Sequence, residues 1–136
     1  MSRSGYTDDI DDMWAHIRWR GAVNSAIKGK RGQALLRELV AALDAMPERK
    51  LIAGELEENG QFCALGCVGK ARGLDMSWIE AADRNQVANV FDVAPALAAE
   101  IMYLNDDEFG WNAAPETRDS TRWARMRAWA VAQLEK

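Results

Sequence analysis

Gln33-Ala34-Leu35-Leu36-Arg37-Glu38-Leu39-Val40-Ala41-Ala42-Leu43-Asp44-Ala45-Met46-Pro47 is the stretch that decides the fold. Leu35, Leu36, Leu39, Val40, Leu43 and Met46 recur three and four residues apart, so a helix stacks them into one apolar stripe. Pro47 ends it. A helix so one-sided must bury its stripe against another element, and the preceding chain offers one. Thr7 caps and Asp8, Asp9, Asp11 and Asp12 suit the first turn of a helix expected over residues 8–27. Ile10, Met13, Trp14, Ile17, Ala22, Val23 and Ile27 are expected on its buried face. Lys28-Gly29-Lys30-Arg31-Gly32 breaks the pattern, so the two helices read as a hairpin.

Downstream the periodicity changes. Asn59-Gly60 lies between the short runs 51–56 and 61–64, and Asn-Gly is the commonest two-residue hairpin turn. A two-stranded hairpin is not stable alone and must lie on the helices. Residues 65–71 read as a short helix stopped by Gly73, with Gly66 and Gly69 admitting a close neighbour. Two more helices, 83–91 and 95–104, flank the turn Asp92-Val93-Ala94, with Pro95 in the first turn of the second. Residues 105–108 and 110–115 read as loop, and a last helix runs over 116–134. Its apolar face holds Trp123, Met126, Trp129, Ala130 and Leu134, with Arg118, Arg122 and Arg125 on another face. The expectation is a mostly α (α+β) fold: one compact helical domain, residues 1–136, with one small two-stranded β-hairpin.

With 49% hydrophobic and 28% charged residues in 136, the chain is neither disordered nor fibrous. No apolar run approaches the roughly 20 residues of a membrane span. Residues 1–6 carry no apolar stretch after the arginine, so no secretory signal is read there and a bacterial cytoplasmic location is expected. The two cysteines, Cys63 and Cys67, are expected to be reduced thiols, since a disulfide closing so short a loop constrains almost nothing. A net charge of -4 argues against general affinity for nucleic acid.

Five features bear on function. Cys63 stands where a strand passes into a helix, and helix N-terminal amides stabilise a thiolate, so it is a candidate nucleophile with His16, the single histidine, as base. Free cysteine is among the most buried residue types, and a core role is the reading preferred over a nucleophile. Residues 85–104 have the spacing of a helix-turn-helix, yet the second helix offers no Arg, Lys, Asn or Gln to bases, so two packed helices explain it as well. The acidic run Asp106, Asp107, Glu108 fits a calcium loop poorly, because Phe109 or Trp111 falls where a ligand or glycine belongs; no metal and no cofactor are expected. Basic residues gather in Arg18, Arg20, Lys28, Lys30, Arg31 and Arg37, and again in Arg118, Arg122, Arg125 and Arg127 beside Trp123 and Trp129. Such sets hold nucleic acid or acidic partners, or simply cover apolar surface. Of six tryptophans, Trp19 and Trp111 are expected as interface anchors, and Trp14, Trp123 and Trp129 as core.

Five stretches together carry a resemblance: Ile17-Arg18-Trp19-Arg20-Gly21, Gly29-Lys30-Arg31-Gly32-Gln33, Cys63-Ala64-Leu65-Gly66 with Gly69-Lys70-Ala71-Arg72-Gly73, Asn105-Asp106-Asp107, and the tail from Arg122 to Trp129. In this order they resemble a group of small uncharacterised phage- and prophage-encoded proteins, over nearly the whole chain. The Cys-Ala-Leu-Gly and Asn-Asp pieces are also similar to another uncharacterised bacterial domain family. Neither implies an activity or catalytic residues. The resemblance implies an accessory protein that binds a host or phage protein, inhibiting or redirecting a host factor or defence system. Asp106, Asp107, Glu108 and Trp111, with Trp19, Lys28, Lys30 and Arg31, are the expected contact residues. A thiol enzyme using Cys63 and a nucleic-acid module using the basic turn are the alternatives, and a homodimer is compatible with exposed Trp and Met.

Overall fold

The α2 stripe is buried as its spacing demands. In the computed structural model, which describes residues 13–135, α2 spans Lys30–Ala45, and Leu35, Leu36, Leu39 and Leu43 are sealed from solvent. They pack against α1 (Met13–Lys28), α3 (Ala64–Ala71) and α6 (Arg118–Gln133). Gly29 alone separates α1 from α2. A Cβ on Gly32 would overlap the Ala26 carbonyl, so only glycine lets the two helices turn this tightly.

Between α2 and α3 lie β1 (Glu57–Glu58) and β2 (Gln61–Phe62), paired antiparallel with Glu57 opposite Phe62. Asn59 and Gly60 both adopt positive φ, 54° and 77°, as the tight hairpin turn requires. The first strand lies just beyond the expected run 51–56, not within it, and Gly54 at φ 86° bends the chain inside that run. Two bonds continue the contact beyond the ladder, from Ile52 N to the Phe62 carbonyl and from Cys63 N to the Leu56 carbonyl. The architecture is therefore mostly α with one small β-hairpin.

Helix α5 (Pro95–Tyr103) is the central element: residues 97 to 102 are all buried, and it packs on α1, α3 and α4 (Arg84–Phe91). Asp83 caps α4 through its carboxylate, and Asp92 ends it in the left-handed region. Arg20 on α1 meets Glu100 on α5 while Arg31, just beyond α1, meets Asp92 just before α5, so α1 runs antiparallel to α5. At the other side Trp123 Nε1 donates to the Leu43 carbonyl at 3.2 Å and Arg127 pairs with Asp44, fixing α6 along α2. Gln33 closes the ends by donating to the Ile27 and Gln133 carbonyls and accepting from Glu135 N.

Two readings are corrected. Residues 105–108 are not loop: α5 continues through a π turn, Leu104–Glu108, closed by Phe109 N on the Leu104 carbonyl at 2.8 Å. Second, Met13, Trp14 and Ile17 are exposed, Trp14 by 70%, whereas Val23 and Ile27 are buried. Nine residues at about 100° each put Trp14 on the side of α1 opposite Val23, so one helix cannot bury both. Thr7, Asp8, Asp9, Ile10, Asp11 and Asp12 lie outside the described residues. Among the described residues, no single helix is long and apolar enough to cross a membrane.

Candidate functional site

The π turn sets the corner at which four segments meet. It leaves Asn105 buried, 1% exposed, where its side chain accepts from Ala64 N at 3.1 Å and donates to the Ile52 carbonyl at 2.9 Å. Asp106 turns back as well, its Oδ1 accepting from Gly54 N and from Asn105 Nδ2. Arg122 reaches the same place from α6. It is 4% exposed and donates Nε to the Asn105 carbonyl at 2.6 Å and Nη1 to the Leu51 carbonyl and to Asp119, both at 2.7 Å. A buried guanidinium needs acceptors for its donors, and here three acceptors take the Nε and Nη1 N–H groups.

Sequence reasoning placed Arg122 on a polar face and missed this role. The signal was present: Met126 and Ala130 lie four and eight residues on, the spacing of the stripe that α6 buries. Asn105, two residues past α5, gave no comparable sign, since only the π turn directs it inward.

Beyond this pinned corner the surface changes character. Asp107 and Glu108 are exposed, and Glu108 accepts from the Tyr103 hydroxyl at 3.2 Å. Trp111 is 69% exposed, yet its main chain is held: its N–H donates to the Glu108 carbonyl, and Arg125 Nη1 donates to the carbonyls of Phe109 and Trp111. Gly110, between them, packs so tightly on the Arg122 guanidinium that a Cβ there would overlap it. These contacts hold the loop's main chain, and the indole it carries lies in solvent.

The remaining candidates fall elsewhere. Trp19 is half-buried beneath Arg84, whose guanidinium carbon lies 5.6 Å from the ring centroid, so it is not an exposed anchor like Trp111. Trp123 is buried under Arg49, as expected, and Trp129 is half-buried. Lys28, Lys30 and Arg31 are exposed at the α1–α2 turn, with Arg31 reaching Asp92 at 3.2 Å. The arginines of α6 are bound within the fold: Arg118 to the Ala113 carbonyl, Arg122 and Arg125 as above, Arg127 to Asp44. The helix-turn-helix spacing is real in shape, α4 and the α5 segment being bent by 109°, but α5 is too deeply buried to enter a DNA groove.

Cys63 is the N-cap of α3, as its position suggested, with Sγ accepting from Gly66 N at 3.3 Å. It is 1% exposed, while His16 is exposed on α1. Cys67, one turn on, bonds to Met46 Sδ, and burial first, then the neighbouring Cys63, pushes its thiol up to about 12. Gly66 lies against the Leu56 carbonyl and Gly69 against Met76, the close approach read from their spacing. An open groove of ≈ 800 Å³ runs beside Cys67 between α2, the hairpin and α3. Its rim mixes Lys50 and Lys70 with Glu48 and Glu57, so it offers no single charge to a ligand. Among the described residues no three His, Cys, Asp or Glu side chains are grouped to hold a metal ion.

No protein-family model, curated protein or solved structure matches this chain.

Proposed function

We propose that this protein acts by binding a protein partner through the corner formed by Asp107, Glu108 and Trp111, without chemistry of its own. The carrying observation is the exposed Trp111 indole on a backbone fixed by Arg125 and Gly110. An aromatic anchor held in place before binding loses little freedom on association, and buried Trp contacts rank among the strongest in interfaces. The two neighbouring carboxylates suit a partner with an apolar slot rimmed by Lys or Arg, where they add on-rate and orientation more than affinity.

Following the resemblance, the partner is a host or phage protein, and its binding inhibits or redirects a host factor or defence system. The thiol-enzyme alternative has less support, because a nucleophile 1% exposed, with the single histidine exposed on another helix, meets no substrate. The nucleic-acid alternative keeps its basic turn exposed, but Arg31 there is engaged with Asp92 and the chain's net charge of -4 opposes phosphate binding.

Affinity capture from bacterial lysate with wild type beside Trp111→Ala and Asp107→Lys/Glu108→Lys tests the reading. Asp106 is left intact because it holds Gly54. A partner bound by wild type and lost from both folded variants supports it; identical captures from all three contradict it.

A further inference from the structure

The tip of the β-hairpin, Asn59-Gly60, carries a reactive pair as well as a turn. The amide nitrogen of a glycine can attack the side-chain carbonyl carbon of an asparagine before it, and no Cβ on the glycine obstructs the approach. The chain holds six asparagines, at positions 24, 59, 85, 89, 105 and 112, and only Asn59 precedes a glycine. Its surroundings leave the reaction open. Both turn residues are exposed, and a Cβ built on Gly60 would meet nothing within 4 Å. The second N–H of a two-residue turn has no partner in the ladder, and among the described residues no hydrogen bond engages it or the Asn59 side chain. Ring closure requires residue 59 to leave the left-handed region, φ 54°, and the ladder that holds it there is two residues a side. So short a hairpin opens locally at little cost.

The other asparagines are protected. Asn24, Asn85 and Asn89 lie in α1 and α4, where the following N–H is committed to the helix or its cap, and Asn105 is buried. Asn112 is the closest contrast. It is exposed and left-handed too, φ 63°, but its neighbour Ala113 carries a Cβ and donates its N–H to the Gly110 carbonyl at 3.3 Å.

We propose that Asn59 is a site of self-modification, at which the folded protein loses the side-chain amide and gains a carboxylate on the rim of the groove between α2, the hairpin and α3. Gly60 N bonds to Asn59 Cγ, the Cγ–Nδ2 bond breaks, and ammonia leaves with the proton of the glycine amide. Water then opens the five-membered imide. Cleavage at Cγ gives Asp at 59. Cleavage at the main-chain carbonyl gives isoaspartate, whose backbone runs through Cγ and is longer by one carbon. Water is the sole co-reactant, and no electrons are exchanged. Either product changes the groove, whose rim sets Lys50 and Lys70 against Glu48 and Glu57, with Asn59 and Gly60 alongside. The new charge tips this balance to the acidic side, so the groove becomes more acidic as the molecule ages. Isoaspartate also lengthens a turn whose two residues set the pairing of Glu58 with Gln61.

Peptide mapping by mass spectrometry of the full chain, aged at physiological temperature in alkaline and in mildly acidic buffer, tests this. Electron-transfer fragmentation separates aspartate from isoaspartate, and a guanidinium-unfolded sample gives the rate of the bare sequence. The expected result is conversion at Asn59 in the folded chain, faster in alkaline buffer and at least about tenfold faster than at Asn112. The aged protein gains a more acidic band on isoelectric focusing. Asn59→Gln, whose longer side chain would have to close a six-membered ring, does not gain it over the same interval. An Asn59 that stays intact in the folded chain while the unfolded chain converts overturns the proposal. So does a folded chain in which Asn112 converts as fast, or the same acidic band from Asn59→Gln.

Discussion

Arg122 Nε donates to the main-chain carbonyl of Asn105 at 2.6 Å, so a charged side chain of α6 is tied to the backbone of the π turn that ends α5. Through its other bonds the same guanidinium holds Leu51 and Asp119, and the Asn105 side chain in turn holds Ile52 and Ala64. Segments remote in sequence are thus joined at one buried point, directly behind the surface that presents Trp111.

Arg122→Ala removes those donors and leaves the Asn105 and Leu51 carbonyls buried without them. The expected loss is about 3 to 5 kcal/mol in a urea melt. Arg122→Lys recovers only part of it, because one ammonium cannot span three acceptors. A loss under about 1 kcal/mol for the alanine variant would show that the hub does not hold the corner together.

Asn105→Asp keeps an acceptor for Ala64 but loses the donor to the Ile52 carbonyl and sets a carboxyl beside Asp106. Burial and like charge raise the folded-state pKa of the new acid above its unfolded value of about 4. The variant therefore comes closest to wild type below about pH 4 and falls progressively behind as pH rises, by about 2 to 4 kcal/mol at pH 7. Urea melts at pH 4 and pH 7 measure this; an equal deficit at both would contradict it.

The two thiols are expected to react with iodoacetamide far more slowly in the folded protein than in guanidinium, since both are buried. The Cys67 thiol, pushed up to about 12, loses its proton more readily in the unfolded chain. Its contribution is complete below the unfolded pKa of about 8.5 and declines as pH rises from there to about 12, a loss that Cys67→Ala removes from the alkaline stability profile. Rapid labelling of either thiol in folded protein would instead revive the thiol-enzyme reading.

Acid acts through other groups. Hydrogen bonds from Arg72 to Glu38 and from Arg127 to Asp44 hold both carboxyls below their ordinary values. A depressed carboxyl contributes stability above its unfolded pKa and loses it as pH falls through the folded one, here below about pH 4. Glu38→Gln/Asp44→Asn should flatten the decline in melting temperature between about pH 5 and 2. An unchanged slope would mean that these surface pairs contribute nothing measurable.

The helices of this fold were legible because caps, breakers and apolar spacing agree, as at Asp83, Pro95 and the α2 leucines. The Cys63 cap and the hairpin turn at Asn59-Gly60 were equally plain. What remained hidden depended on tertiary geometry. The exposure of Trp14 follows from which side of α1 α2 and α5 occupy, and apolar identity alone does not report that. The inward turn of Asn105 needs a π turn that no local residue signals, and Trp19 is covered by an arginine distant in sequence. Of the expected contact residues, Asp107, Glu108 and Trp111 share one presented corner, Asp106 is committed inward, and Lys28, Lys30 and Arg31 lie at the α1–α2 turn.

Photo-crosslinking from position 111 tests the central claim most directly. A benzophenone side chain in place of Trp111, with the same group at exposed Ala132 as control, is irradiated in bacterial cells and the adducts are identified by mass spectrometry. The account predicts one dominant adduct to another protein from position 111, absent from position 132 and reduced by Asp107→Lys/Glu108→Lys. No adduct from position 111, or the same adducts from both positions, would contradict it.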